Sequence, residues 1–165
     1  MKYWMLAALL PHLKTQGKLR RIRRVGENRL WLAFEKESWI IDLTPSQSLI
    51  APHEPALTGR DWATPFDVLT QKYLTQAQLT DAALLGQDKI LKLDFEKTGS
   101  YKATRSSLIL ELTGRYTNAV LLDEIGVFLE VLKRVTNTVR TLAPGEPNAP
   151  PPPLAKAPVM QACED

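Results

Sequence analysis

A cluster of basic residues near the start of the chain is the part of the sequence best suited to binding an anion. Residues 18–24 read KLRRIRR, five positive charges in seven positions: Lys18, Arg20, Arg21, Arg23 and Arg24. In a regular strand Arg20 and Arg24 would share the face of Ile22, and Arg21 and Arg23 would project from the other face. Such a row of guanidinium groups can neutralise successive phosphates and gain from counterion release. The same charges are also typical of an edge strand that avoids unwanted pairing, so both interpretations stay open.

Residues that would support catalysis are sparse. The two histidines, His12 and His53, lie far apart in the sequence, and neither has an identifiable serine or cysteine partner. The single cysteine, Cys163, has no second thiol with which to form an intrachain disulfide or a cysteine-ligated zinc site. This cysteine usage fits a reducing cytoplasm. We therefore expect a cytoplasmic protein with no catalytic residues, no metal and no cofactor.

Composition is that of an ordinary globular domain. The 165 residues are 44% hydrophobic and 24% charged, which is enough for one core. Lys and Arg exceed Asp and Glu by 21 to 18, and this net charge of +3 is too small to indicate nucleic acid by itself. The apolar residues 3–10 imitate a signal peptide, but Pro11 follows where a small-residue cleavage site would stand, so an amphipathic helix is expected. No apolar run approaches the roughly 18 residues of a membrane span, and no membrane partner is expected.

The elements that must position the basic residues begin with two helices. Apolar residues recur at helical spacing across residues 2–16, where Gly17 supplies a stop and Pro11 should kink the helix or lie near one end. A cap at Thr64 or Asp67 starts a second helix that runs to about Gln76 and packs on a sheet.

Alternation of apolar and polar residues predicts the strands. A three-strand meander is expected at residues 19–25, 30–34 and 39–43, followed by a long loop over residues 44–64, and further strands at residues 82–85, 89–95, 107–113, 119–123 and 128–135. Helices do not alternate with strands, so we predict an α+β fold, an antiparallel β-sandwich with two helices, in a domain of residues 1–143. The proline-rich residues 144–165 are interpreted as the exit linker of a longer protein.

Motifs in the second half of the chain carry a family resemblance. Residues 111–118 read ELTGRYTN and precede an apolar strand, and further on come LKRV at 132–135, VRTLAPG at 139–145, Pro147 and two prolines at 150–151. In this order and spacing, the motifs resemble the NFACT N-terminal domain, whose family includes RqcH and bacterial proteins labelled fibronectin-binding proteins. The resemblance spans about residues 2–152 and is strongest from Asp88 onward.

This resemblance implies a fold like the N-terminal domain of formamidopyrimidine-DNA glycosylases. It also implies binding to tRNA on stalled large ribosomal subunits during C-terminal tailing of nascent chains. In the family an Asp-Arg pair at the start of a central strand is associated with tRNA recognition, and the matching residues here are Asp88 and Lys89. Lysine keeps the charge of arginine but not its planar fork. Without the family resemblance, the alternative interpretation is that Asp88 is a turn residue and that Lys89 is a solvated charge at the start of a strand.

Three further basic residues complete the expected RNA-binding surface: Arg115, Lys133 and Arg134. Arg115 either braces its turn by pairing with Glu111 or Asp123, or it projects towards a phosphate beside the other two. We expect tRNA and the large ribosomal subunit as partners.

Two other functions compete with RNA binding. Glycosylases of the related fold begin with a proline directly after the initiator methionine, followed by glutamate, whereas this chain has Lys2 and Tyr3. Both the attacking secondary amine and its acid are missing, so such a relative would be catalytically dead. The label of the bacterial relatives implies a surface adhesin with fibronectin as its partner, and this chain shows no export signal to support it. RNA binding without enzymatic activity is therefore the favoured hypothesis.

Overall fold

The computed structural model describes residues 1–54, 61–99, 101–136 and 141–142. The predicted linker at residues 144–165 lies outside the described residues. Helix α1 spans Tyr3–Leu13 and helix α2 spans Pro65–Leu74. In chain order the strands are β1 Lys18–Gly26, β2 Arg29–Phe34, β3 Ser38–Asp42, β4 Leu49–Pro52, β5 Ala77–Leu84, β6 Ile90–Thr98, β7 Ala103–Glu111, β8 Asn118–Asp123, β9 Phe128–Val131, β10 Val135–Thr136 and β11 Thr141–Leu142.

Both predicted helices are present, and local sequence explains where they begin and end. Helix α1 contains Pro11 in its last turn, and the chain then reverses through Gly17 at a φ of 85°, which glycine adopts without steric cost. Helix α2 begins with a capping box, in which the Thr64 side chain accepts from the Asp67 backbone and the Asp67 carboxylate accepts the Thr64 backbone nitrogen at 3.0 Å. The Thr64 hydroxyl also donates to this carboxylate at 2.6 Å. Pro65 at the first helical position has no amide hydrogen to leave unsatisfied.

The sheet corrects one part of the predicted fold. Its nine described strands form a single open antiparallel sheet in the order β4-β3-β2-β1-β5-β6-β7-β8-β9, so the α+β class with two helices is confirmed but the sandwich of separate sheets is not. The two halves are joined where Lys18 and Leu19 of β1 pair with Gln78 and Ala77 of β5. The backbone of β10 and β11 forms a separate two-stranded sheet.

Although the sheet is continuous, the half formed by β1–β4 and the half formed by β5–β9 curl towards each other. Phe34 of β2 and Phe95 of β6 stack with ring centres 6.4 Å apart and planes inclined by 8°. The amide of Ser46, between β3 and β4, donates to the carbonyl of Gly114, between β7 and β8, at 2.7 Å. Side chains from both halves therefore share one core, and this packing is what the predicted sandwich approximated.

Three predicted element assignments are wrong. The sequence predicts a loop over residues 44–64, but β4 lies within them and pairs with β3, so that Ile50 is buried opposite Ile41. Strand β5 begins at Ala77 rather than at residue 82. A register shift between Leu79 and Asp81 interrupts the alternation in β5, and a pattern based on regular alternation detects only the second half of such a strand. The predicted strand at residues 128–135 ends at residue 131, where β9 ends.

Candidate nucleic-acid interface

A β-bulge in β1 determines which arginines reach the surface. Leu19 pairs with Phe34 of β2 and Arg21 pairs with Ala33, so Arg20 is the extra residue. Leu19 and Ile22 are three positions apart and could not both face the core in a regular strand, yet both are buried. The bulge resolves this conflict and leaves Arg20 and Arg21 exposed side by side. The expectation that Arg20 shares the face of Ile22 is therefore wrong.

Arg24 is the buried member of the cluster, with only 9% of its side chain exposed. Its guanidinium donates to the Glu27 carbonyl at 2.7 Å, lies 3.5 Å from the Asp67 carboxylate of α2, and sits 4.1 Å from the ring centre of Trp62. These contacts connect the β1–β2 turn to α2 and to the segment that precedes it. Arg24 therefore positions its neighbours and does not lie in the exposed row of cations.

Arg21 and Arg23 each contact a neighbouring side chain, although Arg21 is exposed and Arg23 is half-buried. The guanidinium carbon of Arg21 lies 5.9 Å from the centre of the Trp31 ring, a cation–π distance. Arg23 donates to the Asp61 carboxylate at 3.0 Å, and its side chain is 23% exposed against 92% for that of Asp61. The positive charge thus lies against the protein surface and the negative charge projects into solvent.

A groove of about 410 Å³ runs between β1 and α2. Within the described residues β1 pairs with β5 only near its start, and α2 packs beside the remainder of the strand. Three guanidinium groups and one carboxylate line the groove, together with an aromatic ring, an amide and a hydroxyl. The lining residues are Arg21, Ile22, Arg23, Arg24, Asp61, Trp62, Gln71 and Thr75.

Lys133 belongs to the same electrostatic environment although it comes much later in the sequence. Its ammonium donates to the Thr117 hydroxyl at 3.0 Å and to the Leu43 carbonyl at 3.4 Å. Burial lowers the pKa of Lys133, the Glu27 carboxylate opposes this shift, and the Arg24 guanidinium adds to it. Lys133 and Arg24, two predicted site residues, therefore lie within each other's field.

The remaining basic residues of the second half lie closer to solvent. Arg134 is exposed and donates to the Glu130 carboxylate at 3.1 Å. Arg115 is exposed in the β7–β8 turn beside Tyr116. The Asp123 carboxylate accepts the amide of Ile125 at 3.0 Å and so braces the turn after β8.

Asp88 and Lys89 do not lie in an exposed basic row. Asp88 is half-buried in the turn between β5 and β6, and Lys89 is only 6% exposed. The Lys89 ammonium donates to the Met1 carbonyl at 3.2 Å, and its own carbonyl accepts the Leu112 amide at 2.8 Å. The interpretation of Lys89 as a solvated strand charge is therefore wrong.

The β3–β4 connection brings several of these groups together. Leu43 at its start accepts bonds from both Thr117 and Lys133. Ser48 near its end donates to the Leu112 carbonyl at 2.9 Å and accepts the Met1 amino group at 2.8 Å. One short segment thus connects the surroundings of Lys133 with those of Lys89.

Some residues of the groove were missed by the sequence analysis: Asp61, Trp62, Gln71 and Thr75. The first two were assigned to an uninformative loop, and their place just before a helix cap was the available clue. Within the described residues no group of three or more His, Cys, Asp or Glu side chains could hold a metal ion. Neither described helix has the length and apolar character needed to cross a membrane.

Two helices on an open antiparallel sheet, with an arginine-lined groove between β1 and α2, define an α+β domain. The family model described as NFACT N-terminal and middle domains matches residues 3–165, and the chain belongs to this family. The predicted resemblance is thereby confirmed. No curated protein matches the chain.

Solved structures from three bacteria share the fold. The N-terminal domain of the fibronectin-binding protein PavA from Streptococcus pneumoniae is 22% identical with a TM-score of 0.82, and the match covers 93% of this chain and 65% of that one. The N-terminal part of the fibronectin/fibrinogen-binding protein from Streptococcus suis is 19% identical with a TM-score of 0.84, and the match covers 93% of this chain and 62% of that one. The fibrinogen-binding protein from Staphylococcus aureus is 20% identical with a TM-score of 0.74, and the match covers 90% of this chain and 54% of that one. The chain therefore spans between about half and two thirds of each structure that it matches.

Proposed function

We propose that this domain binds RNA, namely tRNA and the large ribosomal subunit, as part of a cytoplasmic ribosome quality-control factor that supports C-terminal tailing of stalled nascent chains. The observation that carries the proposal is the β1 bulge, which leaves Arg20 and Arg21 exposed next to each other. Membership in the NFACT family supports it. The family association of Asp88 and Lys89 with tRNA recognition is a second, separate element of the proposal.

The exposed arginines have the properties that phosphate binding requires. Within the part of the chain that the structure describes, Arg20 and Arg21 form no ion pair, whereas Arg23 and Arg24 each face a carboxylate. An arginine without a carboxylate partner can exchange its hydration directly for phosphate oxygens, which it binds as a planar fork. Phosphate contacts of this kind position a nucleic acid without reading its sequence.

We further propose that the domain acts by binding and is not an enzyme. Lys2 and Tyr3 stand where the glycosylases of the proposed related fold carry their proline and glutamate. Lys2 serves here as the residue before α1, in extended conformation. The His12 ring is hydrogen-bonded to Glu37, so this histidine has a structural partner.

The proposal is tested by titrating the domain with tRNA at about 50 and about 200 mM salt, a range over which phosphate-dominated binding weakens strongly. The double variant Arg20→Gln/Arg21→Gln should bind at least about tenfold more weakly, with a salt slope lower by about two. The matched control is Lys102→Gln/Arg105→Gln, which removes two exposed charges from the β6–β7 hairpin. Equal affinities of the two double variants, or wild-type binding independent of salt, would overturn the proposal.

Immobilised fibronectin provides the comparison arm of the same experiment. The structural matches are named as fibronectin- or fibrinogen-binding proteins, but at 19 to 22% identity this likeness shows the fold alone. Binding to fibronectin, with no binding to tRNA at low salt, would favour the adhesin hypothesis instead.

A further inference from the structure

The ion pair between Arg23 and Asp61 joins a mostly buried guanidinium to an exposed carboxylate. The two side chains meet at 3.0 Å through one nitrogen of the guanidinium and one oxygen of the carboxylate, and the acid is 92% exposed. An exposed ion pair of this kind contributes little, because water competes for both charges. A phosphate could bind the guanidinium through two parallel hydrogen bonds in place of one. The Asp61 carboxylate thus occupies a position suited to an incoming anion.

The aromatic wall of the groove is held in place by the protein itself. Arg24 lies 4.1 Å from the ring centre of Trp62, and the guanidinium is in turn held by the Glu27 carbonyl and the Asp67 carboxylate. Little side-chain freedom is then lost when a ligand binds against the indole. Aromatic side chains of this kind serve as stacking platforms for unpaired bases.

The volume and the lining residues of the groove indicate which ligand it can hold. The groove measures about 410 Å³, at the lower end of the roughly 300–1,000 Å³ usual for small-ligand sites. Besides the cations and the indole, it is lined by the amide of Gln71 and the hydroxyl of Thr75, which can both donate and accept hydrogen bonds. Such a space accommodates one nucleotide but not a base-paired helix.

We propose that the groove between β1 and α2 binds a single unpaired nucleotide of RNA, with its phosphate displacing Asp61 from Arg23 and its base lying against Trp62. This inference rests on the proposed RNA-binding function and adds a specific subsite to it. Arg20 and Arg21 then contact the backbone next to the inserted nucleotide, and Asp61 acts as an internal competitor that weakens binding. The domain consequently prefers RNA with an unpaired base to a continuous duplex.

The test uses an RNA of about 12 nucleotides, within the usual range of single-strand site sizes, both alone and annealed to its complement. Wild-type protein should bind the single strand at least about fivefold more tightly than the duplex. Asp61→Asn should tighten single-strand binding about threefold or more, because it removes the competing charge. Its matched control is Asp81→Asn, which neutralises an exposed carboxylate of β5 and should leave affinity unchanged.

Trp62→Leu supplies the second arm and should weaken single-strand binding about tenfold. Circular dichroism and thermal unfolding establish that this variant is folded. If Asp61→Asn and Trp62→Leu both bind as the wild type does, the nucleotide site is wrong. If Arg20→Gln/Arg21→Gln still lowers tRNA affinity in that case, the RNA-binding function stands without the groove. Capture of an acidic peptide, but not of RNA, by the Asp61→Asn variant would overturn both.

Discussion

The Arg24 guanidinium and the Asp67 carboxylate lie 3.5 Å apart, and their side chains are only 9% and 4% exposed. The pair links β1 to the first turn of α2, where the Asp67 carboxylate also accepts hydrogen bonds from the backbone nitrogen and the hydroxyl of Thr64. A buried charge without its partner is costly, because the lost attraction no longer offsets desolvation. The position of α2, and with it one wall of the groove, therefore depends on Arg24.

Replacing Arg24 with glutamine should destabilise the domain by about 3 kcal/mol, because the change leaves the buried Asp67 carboxylate without its opposite charge. Urea denaturation monitored by circular dichroism measures the change in unfolding free energy. The matched control is Arg29→Gln, which breaks an ion pair with Asp42 whose arginine side chain is 60% exposed, and it should cost less than about 1 kcal/mol. Similar losses for the two variants would contradict a structural role for Arg24.

Lys133 should make stability depend on pH at the alkaline end. Burial lowers the pKa of this lysine in the folded chain, whereas in the unfolded chain its pKa is ordinary, about 10.4. Between the two pKa values the unfolded chain binds more protons than the folded chain, so the free energy of unfolding gains a contribution that rises with pH across this window. Lys133→Met should lack this rise.

The measurement compares the unfolding free energy of the wild type with that of Lys133→Met from neutral pH to about pH 10.5. Subtracting the Lys133→Met curve from the wild-type curve removes the contributions of the titratable groups that both proteins share. A difference that stays constant over the whole range would contradict the assignment of a lowered pKa to Lys133. The control is Lys92→Met, which removes a lysine paired with Asp94 but keeps Lys133, so this variant should retain the rise with pH that the wild type shows.

Strand β1 illustrates how far sequence reasoning carries. Its alternation of apolar and charged residues correctly predicted a strand, since a half-buried strand needs that period. The three-residue spacing of Leu19 and Ile22 indicates the bulge, whereas regular alternation predicts the wrong face for Arg20. The choice between a sandwich and a continuous sheet depends on the pairing of Lys18 and Leu19 with β5, and no local pattern reveals a junction that short.

The candidate site was predicted less completely than the fold. The basic residues of β1 were visible because charge clusters are local in sequence. Trp62 was not, because its role depends on packing against Arg24, which lies on a different element. The burial of Lys89 likewise involves a contact with the carbonyl of Met1, which is 88 residues away in the sequence. Contacts between segments that are distant in sequence form only in the packed fold, so the spacing of motifs along the chain does not predict them.

Gly17 should tolerate substitution poorly, in contrast to Gly26. The backbone of Gly17 has a φ of 85°, and an added Cβ would lie 2.6 Å from a carboxylate oxygen of Glu35. That oxygen accepts the Lys18 amide at 2.7 Å, so moving it also disturbs the start of β1. Gly17→Ala should therefore cost about 1–2 kcal/mol. In Gly26→Ala the nearest atoms to the added Cβ would lie at 3.5 Å, so this change should alter the free energy of unfolding by less than about 0.5 kcal/mol. Thermal or urea unfolding measures both variants, and equal losses of stability would contradict the distinction between the two glycines.

Asp88 and Lys89 should separate binding from stability when they are changed one at a time. Lys89→Met removes the donor to the Met1 carbonyl from a site that is 6% exposed, and the lost hydrogen bond should cost about 1–3 kcal/mol. Asp88→Asn alters a half-buried turn residue and should change stability by less than about 0.5 kcal/mol. If Asp88 is the member of the pair that contacts tRNA, Asp88→Asn lowers the affinity of the folded domain for tRNA at constant salt, whereas Lys89→Met changes mainly the unfolding midpoint. Loss of tRNA affinity in a fully folded Lys89→Met variant would instead assign the buried lysine a direct part in binding.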